Sequence, residues 1–292
     1  MTGSTFDSVS RDGAKMRSVS DAAVAQRMWR LFEPIHAVTY FAAQSREEYE
    51  RVGLRGFWRG YFAGRFSPLG VPDAAQVIDL AFVFAPAMVE RAIPNVWDLC
   101  SPAQALEARA RGVERAFDWL TVPEEAAILA RDVAERCDAA DRPLAQANLA
   151  LDWPAPPVLA LWHATTVMRE HRGDGHVVAL REAGLDACEA LVLHSATDVP
   201  EPVHLRENRG WTADDWSAAT ERLAGRGWLD RSGAITDAGA STRTAIERRT
   251  DELAAAPYAR AEQLERALQP LTEQVVARGV IPYPNPMGVP RP

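Results

Sequence analysis

Apolar residues recur along most of this chain at three- and four-residue spacing, the signature of helices with one buried face. In "SDAAVAQRMWRLFEP", Val24, Met28, Leu31 and Phe32 share a face, and Ser20 followed by Asp21 supplies a fitting N-cap. The same period predicts helices over 46–66, 73–92, 101–119, 122–138, 156–172, 175–183, 185–196, 212–226 and 239–275. Two stretches lack it. "DAADRPLAQANLALDWPAPP" (138–157) carries four prolines and reads as a linker. The tail, which ends "IPYPNPMGVPRP", has five prolines in its last twelve residues and is expected to be extended or disordered. The pattern therefore predicts a mostly α protein: a disordered leader over 1–19, a helical half over 20–137, a linker over 138–157, a second half over 158–278 and a tail over 279–292.

The second half has the clearest local order. "WTADDWSAATERLAGRGWLDRSGAITDAGASTRTAIERR" reads as a helix capped by Thr212 with Trp216, Ala219 and Leu223 apolar, a stop at Gly225 and Gly227, two brief strands "WLD" and "AIT", and a long helix opened by Asp237 and Gly239. This segment resembles the recognition helix, wing and following helix of MarR-type winged-helix regulators. The resemblance covers about 50 residues and implies a fold rather than an activity.

The two halves also align with one another. "ERVGLRGFWRGYFAGRFSPL" (50–69) sets against "REAGLDACEALVLHSATDVP" (181–200), with Gly53-Leu54 matching Gly184-Leu185. "VERAIPNVWDL" sets against "TERLAGRGWLD" at the same offset, pairing Glu90-Arg91 with Glu221-Arg222. One spacing shared by two separate blocks predicts a duplication. MarR-type proteins form two-fold dimers with ligand pockets near the dimer helices, so the resemblance implies tandem, degenerate winged-helix halves joined as an intrachain pseudo-dimer. In that register Tyr40 falls opposite His171. The phrases "LFEPIHAVTYF", "GLRGFWRGYFAGR", "APAMVERAIPNVW", "REHRGDGH" and "RGWTADDW" further resemble a family of uncharacterised actinobacterial helix-turn-helix proteins over about residues 20–260. That likeness implies the fold and supplies no mechanism.

Charge narrows the partners. The formal net charge is −8, and over 201–260 ten acidic residues stand against nine arginines, so the bulk field does not favour nucleic acid. The candidate recognition helix begins Asp214-Asp215, its wing is cut to Arg231-Ser232-Gly233, and the equivalent first-half helix is apolar. DNA stays open as a partner only because proteins of this fold often bind it. No apolar run approaches the roughly 20 residues that span a bilayer, so no membrane partner is expected. The opening residues lack a secretory apolar core, and Cys100, Cys137 and Cys188 are few and widely spaced. Both features point to a reducing cytoplasm rather than a disulfide scaffold.

Three constellations carry candidate chemistry. Glu33, His36 and Tyr40 stand at i, i+3 and i+7 on one helical face. Glu-x-x-His occurs in carboxylate metal sites, but only one copy is present, and a helix kinked at Pro34 with an internally bonded histidine is the bland alternative. In "GLRGFWRGYFAGR", Gly56, Gly60 and Gly64 form a smooth stripe beside Arg51, Arg55 and Arg59, and Tyr61 faces Arg65. This reads either as close helix packing or as a wall for an anion and a flat ring. In "EHRGDGH", Gly173 and Gly175 permit a reversal around Asp174, which can cap a helix starting near His176 or orient a histidine for acid–base work. Two histidines without a third ligand do not make a metal site, so none is expected.

The leading expectation is a small-molecule-binding protein with a polar pocket between its halves, lined by His36, Tyr40, Arg59, Arg65 and Arg172. The alternatives are an enzyme of specialised metabolism using His171, Asp174 or His176 as acid or base, and a MarR-like transcription regulator. The residues point to no particular cofactor.

Overall fold

A computed structural model describes residues 6–197, 202–259, 261–283 and 285. Helices make up the fold. The first half holds α1 (Phe6–Phe41), α2 (Ala43–Arg51), α3 (Phe57–Phe66), α4 (Ala74–Leu80), α5 (Pro86–Glu90), α6 (Asn95–Leu99), α7 (Pro102–Ala116) and α8 (Glu124–Ala134). After it come α9 (Pro143–Leu149), α10 (Pro157–Glu182), α11 (Ala187–Ser195), α12 (Pro202–Asn208), α13 (Ala213–Gly225), α14 (Asp237–Ala254) and α15 (Glu262–Ala277).

Local chemistry sets many of these boundaries. Capping boxes open α4, α7, α11 and α13: Asp73 with Gln76, Ser101 with Gln104, Asp186 with Glu189, and Thr212 with Asp215. Each satisfies donors that a helix start leaves open. Proline opens α5, α7, α9 and α10, where its missing N–H costs nothing. The helix expected to start at Ser20 begins instead at Phe6. The run predicted over 46–66 is broken by Gly53 and Gly56, both left-handed at φ 89° and 84°. That over 239–275 is interrupted near Pro257. The brief strands "WLD" and "AIT" reduce, among the described residues, to one antiparallel bridge between Leu229 and Ile235. The proline-rich stretch 138–157 contains α9, whose Leu144 and Ala145 are fully buried. Most of the tail lies outside the described residues, as do the first five residues of the leader.

Three apolar cores organise the helices. The largest draws on α1, α8, α10 and α15, with Met28, Phe32, Leu161, Met168, Leu268 and Val275 at its centre, and so mixes both halves of the chain. A second core, around Phe62, Phe66, Val89 and Ile93, holds α2–α7 together as one lobe. The third, around Leu180, Leu193, Ala219, Leu223 and Ile246, holds α11, α13 and α14 against the end of α10 as another. The lobes meet directly: Ala85 N–H donates to the Arg209 carbonyl at 2.8 Å, and Trp211 Nε1 donates to the Val83 carbonyl at 3.0 Å. Gly210 permits this approach. Its φ is +77°, and a Cβ there would lie 2.6 Å from the Met88 Cβ.

Each lobe begins with the same turn. Gly53 N–H bonds the Glu50 carbonyl and Leu54 N–H reaches back to the Tyr49 carbonyl; Gly184 bonds Arg181 and Leu185 reaches Leu180. Both glycines are left-handed and both leucines are buried. This is the Schellman-type helix stop, in which only glycine takes the left-handed position without strain.

Candidate ligand-binding site

The site grows out of α10. "EHRGDGH" is not a turn: α10 runs without a break from Pro157 to Glu182. Helical spacing therefore places Arg169, Arg172, Gly173, His176 and Leu180 along one face, one turn apart or less. That face lines a cavity of about 250 Å³ between the two lobes. Trp29 and Glu33 of α1 close one end. Tyr61 and Arg65 of α3, with Phe84, form the first-lobe wall, and His194, Arg209, Arg243 and Glu247 complete the second-lobe wall. Leu180, Leu185, Leu191, Leu193, Leu205 and Ile246 make much of the remainder apolar. Volume and lining approach those of small-molecule sites, which run from about 300 Å³ upward.

Arginines dominate the polar wall, and most are held in place by carboxylates behind it. Arg65 makes a two-pronged contact with Glu170, Nε to Oε1 and Nη2 to Oε2, each at 3.1 Å, and donates from Nη1 to the Tyr61 hydroxyl at 3.0 Å. Arg169 also donates to Glu170, at 2.8 Å. Arg172 donates to Asp251 at 2.9 Å and lies over the Trp29 ring, 4.2 Å from its centroid. Its Nε is buried with no hydrogen-bond partner. Arg243 pairs with Glu247 and donates from Nη2 to His194 Nδ1 at 3.1 Å. Arg209 stacks on Phe84 at 4.7 Å.

Burial alone would raise the Glu170 carboxyl, but Arg169 and Arg65 override it and hold it at about 2. Burial acts the same way on Glu247, and Arg243, His176 and Arg172 bring it to about 2. Glu33 and Asp251 go the other way, because burial outweighs their arginine neighbours. Burial also pushes His176 and His194 down to about 4, so both are neutral at pH 7. Five arginines thus line the cavity with two glutamates, Glu33 and Glu247, while Glu170 and Asp251 pair with the arginines from behind. Arginines outnumber acids in the lining.

The expected site residues divide. Arg65, Arg172 and His176 line the cavity together. His36 and Tyr40 sit behind the wall, sharing a narrow crevice with Arg65 and Glu170. Thr166 spends its hydroxyl proton on the Trp162 carbonyl, so His36 Nδ1–H donates to Thr166 at 3.0 Å and Tyr40 O–H donates to His36 Nε2 at 3.1 Å. Arg59 is exposed and bonds the Arg55 carbonyl just before its own helix. Two glycines of the stripe beside it serve packing: a Cβ at Gly60 or Gly64 would collide with the Tyr49 ring at 2.8 Å or its hydroxyl at 1.9 Å, whereas one at Gly56 would meet nothing within 4 Å.

His171 and Asp174 face away from the cavity. Asp174 Oδ2 accepts from the backbone N–H groups of Leu144 and Ala145, each at 3.1 Å. It therefore caps the start of α9 rather than a helix at His176. Gly175 makes room for Arg142, whose Nη1 a Cβ would meet at 2.3 Å and which donates to the His171 carbonyl at 2.6 Å.

Sequence reasoning missed Trp29, Arg169, His194, Arg209, Arg243 and Glu247. Arg169 was within reach, standing at i−3 from Arg172 and i−7 from His176. The others come from separate helices and leave no local signal. Chemically, the wall can neutralise an anion, stack a ring and exchange hydrogen bonds through two neutral imidazoles. Among the described residues no three His, Cys, Asp or Glu side chains gather as a metal site, and no helix is long and apolar enough to cross a membrane.

Comparison with known proteins matches residues 25–282 to a helix-turn-helix family. No curated protein and no solved structure matches the chain.

Proposed function

We propose that this chain, which belongs to the helix-turn-helix family, binds a small organic molecule in the cavity between its lobes. We read the lobes as tandem, diverged winged-helix units. The matching Gly-Leu stops at Gly53 and Gly184 support that duplication, as do Trp97 and Trp228, which pair at the same offset. The observation that carries the ligand reading is the convergence of five arginines and two neutral histidines on one largely apolar cavity. Buried cations are costly unless something answers them, and Glu33, Glu170, Glu247 and Asp251 answer Arg65, Arg169, Arg172 and Arg243 and so fix their guanidinium groups along the wall.

Thermal unfolding with a library of small carboxylates, phosphates and neutral analogues tests this. A ligand at 100 times its Kd adds about 2.7 kcal/mol to stability and raises the midpoint by several degrees. A library without one stabilising compound counts against the reading. If the ligand is turned over, His176 is the acid–base residue we favour among His171, Asp174 and His176, because it lines the cavity.

The family also favours a second reading, a DNA-binding regulator. The surface of α13 argues against direct phosphate contact. Its exposed positions include Asp214, Asp215, Ser217, Ala218 and Glu221. Arg222 is engaged by Asp186 at 2.6 Å and Glu189 at 2.9 Å, and Arg226 by Glu189 and the Gly184 carbonyl. A gel shift on the promoter of its own gene decides between them. Binding that weakens steeply between 50 and about 200 mM salt supports a regulator, and no shift at low salt removes it.

A further inference from the structure

The tautomers of the two cavity histidines are fixed by their partners, and they are opposite. Thr250 Oγ1 donates its only proton to the Ile246 carbonyl at 2.8 Å. Its 2.8 Å contact with His176 Nδ1 therefore has the ring N–H donating. In the neutral ring Nε2 is then a bare acceptor, and no group among the described residues donates to it. Arg243 can only donate, so His194 Nδ1 is the acceptor of that 3.1 Å bond and the proton of its neutral ring lies on Nε2. The cavity wall thus carries one imidazole acceptor and one imidazole donor.

His176 stands four residues beyond Arg172 on the same face of α10, about 6 Å along the axis. Arg172 brings a guanidinium stacked on Trp29, whose Nη2 is shared by Asp251 at 2.9 Å and Glu247 at 3.4 Å and whose Nε is buried with no partner. Phe84, Leu180 and Leu185 form the adjacent apolar wall. Resting on the reading of the cavity as a ligand site, we infer that its ligand is a carboxylate with an apolar body and a hydroxyl or N–H donor about one helical turn (~6 Å) from the anionic group. The carboxylate meets Arg172, and the donor is accepted by His176 Nε2. A dianion is disfavoured because Glu33, Glu170, Glu247 and Asp251 already pair with the arginines of the wall.

Calorimetric titration with three matched sets of probes tests this. The first is 4-hydroxybenzoate, 4-hydroxyphenylacetate and 3-(4-hydroxyphenyl)propanoate. The second is their 4-methoxy counterparts, which lack the donor, and the third is their amides, which lack the charge. The expected result is that at least one hydroxy acid binds, with its methoxy and amide partners weaker by about tenfold or more, the scale of one lost hydrogen bond to a buried group. His176→Phe should bring the hydroxy-to-methoxy ratio close to one, and Arg172→Gln should weaken the acids while sparing the amides. If His176→Phe does not fold, Thr250→Val removes the group that holds Nδ1–H and tests the same tautomer. Equal binding of acids and amides, or of hydroxy and methoxy probes, overturns the ligand class. When Gly173→Phe, which fills the cavity, abolishes that equal binding, the cavity reading itself stands. If no probe of any set binds, both fall.

Discussion

Lowering the pH from 7 to 5 should destabilise this fold by about half of a typical domain's stability. Burial lowers His163, His171, His176 and His194 to about 4, against an ordinary value near 6.5. A histidine depressed on folding contributes stability that is fully present above pH 6.5. That stability is lost as the pH falls toward 4, because the unfolded chain takes up protons that the folded chain refuses. Between pH 7 and pH 5 each costs about 2 kcal/mol, and the four as independent sites about 7 kcal/mol. Glu170 and Glu247, held at about 2, lose only a few tenths of a kcal/mol in this window. Asp174 opposes the trend. Burial raises it to about 6, so the folded chain holds its proton more tightly and gains about 1 kcal/mol on acidification. The net loss from these groups is about 6 kcal/mol, to be set against a total stability of about 5–15 kcal/mol, and buried His36, also held well below its ordinary value by burial, adds to it. Urea unfolding followed by tryptophan fluorescence at pH 7, 6 and 5 measures it. With a slope of about 3 kcal/mol per molar, the midpoint should fall by about 2 M between the end points. Ring resonances of the four histidines should stay neutral in the folded protein down to pH 5. A midpoint equal at pH 7 and pH 5, or rings that titrate near 6.5 in the folded state, would refute the reasoning.

Three substitutions test the supports of the cavity. Gly210→Ala places a Cβ 2.6 Å from Met88 in a left-handed position. It should cost about 1–3 kcal/mol by calorimetry, with Met88→Ala in the same chain returning part of the loss. Asp174→Ala leaves the Leu144 and Ala145 N–H groups without an acceptor, a cost of about 2–4 kcal/mol, and Asp174→Asn should cost less because an acceptor remains. Glu170→Gln removes the charge between Arg65 and Arg169. It should cost about 3–5 kcal/mol and raise hydrogen exchange at the α3–α10 contact, and a change within ±0.5 kcal/mol would show that solvent already answers these arginines.

What the sequence made legible follows from the range of each signal. Helix spacing, capping boxes and the Gly-Leu stops act within a few residues, and they are where the reading and the fold agree. The register of the repeat placed Gly173 opposite Ala42, where α1 gives way to α2. It did not reveal that α10 runs on through that point. Two glycines in three residues suggest a turn by local rules. Here one glycine borders the cavity and the other makes room for Arg142, contacts set by the tertiary fold. Arg59 looked equivalent to Arg65 because both flank the glycine stripe, but six residues around a helix take one to solvent and the other to Glu170. Arg65, Arg172 and His176 could be named from the sequence because each stands in a locally unusual phrase. Arg209, Arg243 and His194 could not, because only the meeting of α11, the end of α12 and α14 makes them neighbours.

The proposed duplication explains why such a site arises once rather than twice. A symmetric dimer must build its pocket in both copies or in neither, whereas fused copies diverge independently. In the register that pairs Gly184 with Gly53, His176 corresponds to Ser45, Arg243 to Gly112, Leu180 to Tyr49 and Leu191 to Gly60. In the first lobe those positions are closed together. A Cβ on Gly112 would lie 2.6 Å from the Ser45 Cα, and the Tyr49 ring occupies the space that Gly60 leaves. Their second-lobe counterparts His176, Leu180, Leu191 and Arg243 all border the cavity. On the proposed duplication, positions that are packed shut in the first lobe border the cavity between the lobes in the second. On this argument the glycines of "GLRGFWRGYFAGR" and the arginines of the second lobe are two outcomes at equivalent positions, one giving up a pocket for tight packing and the other giving up tight packing for a pocket.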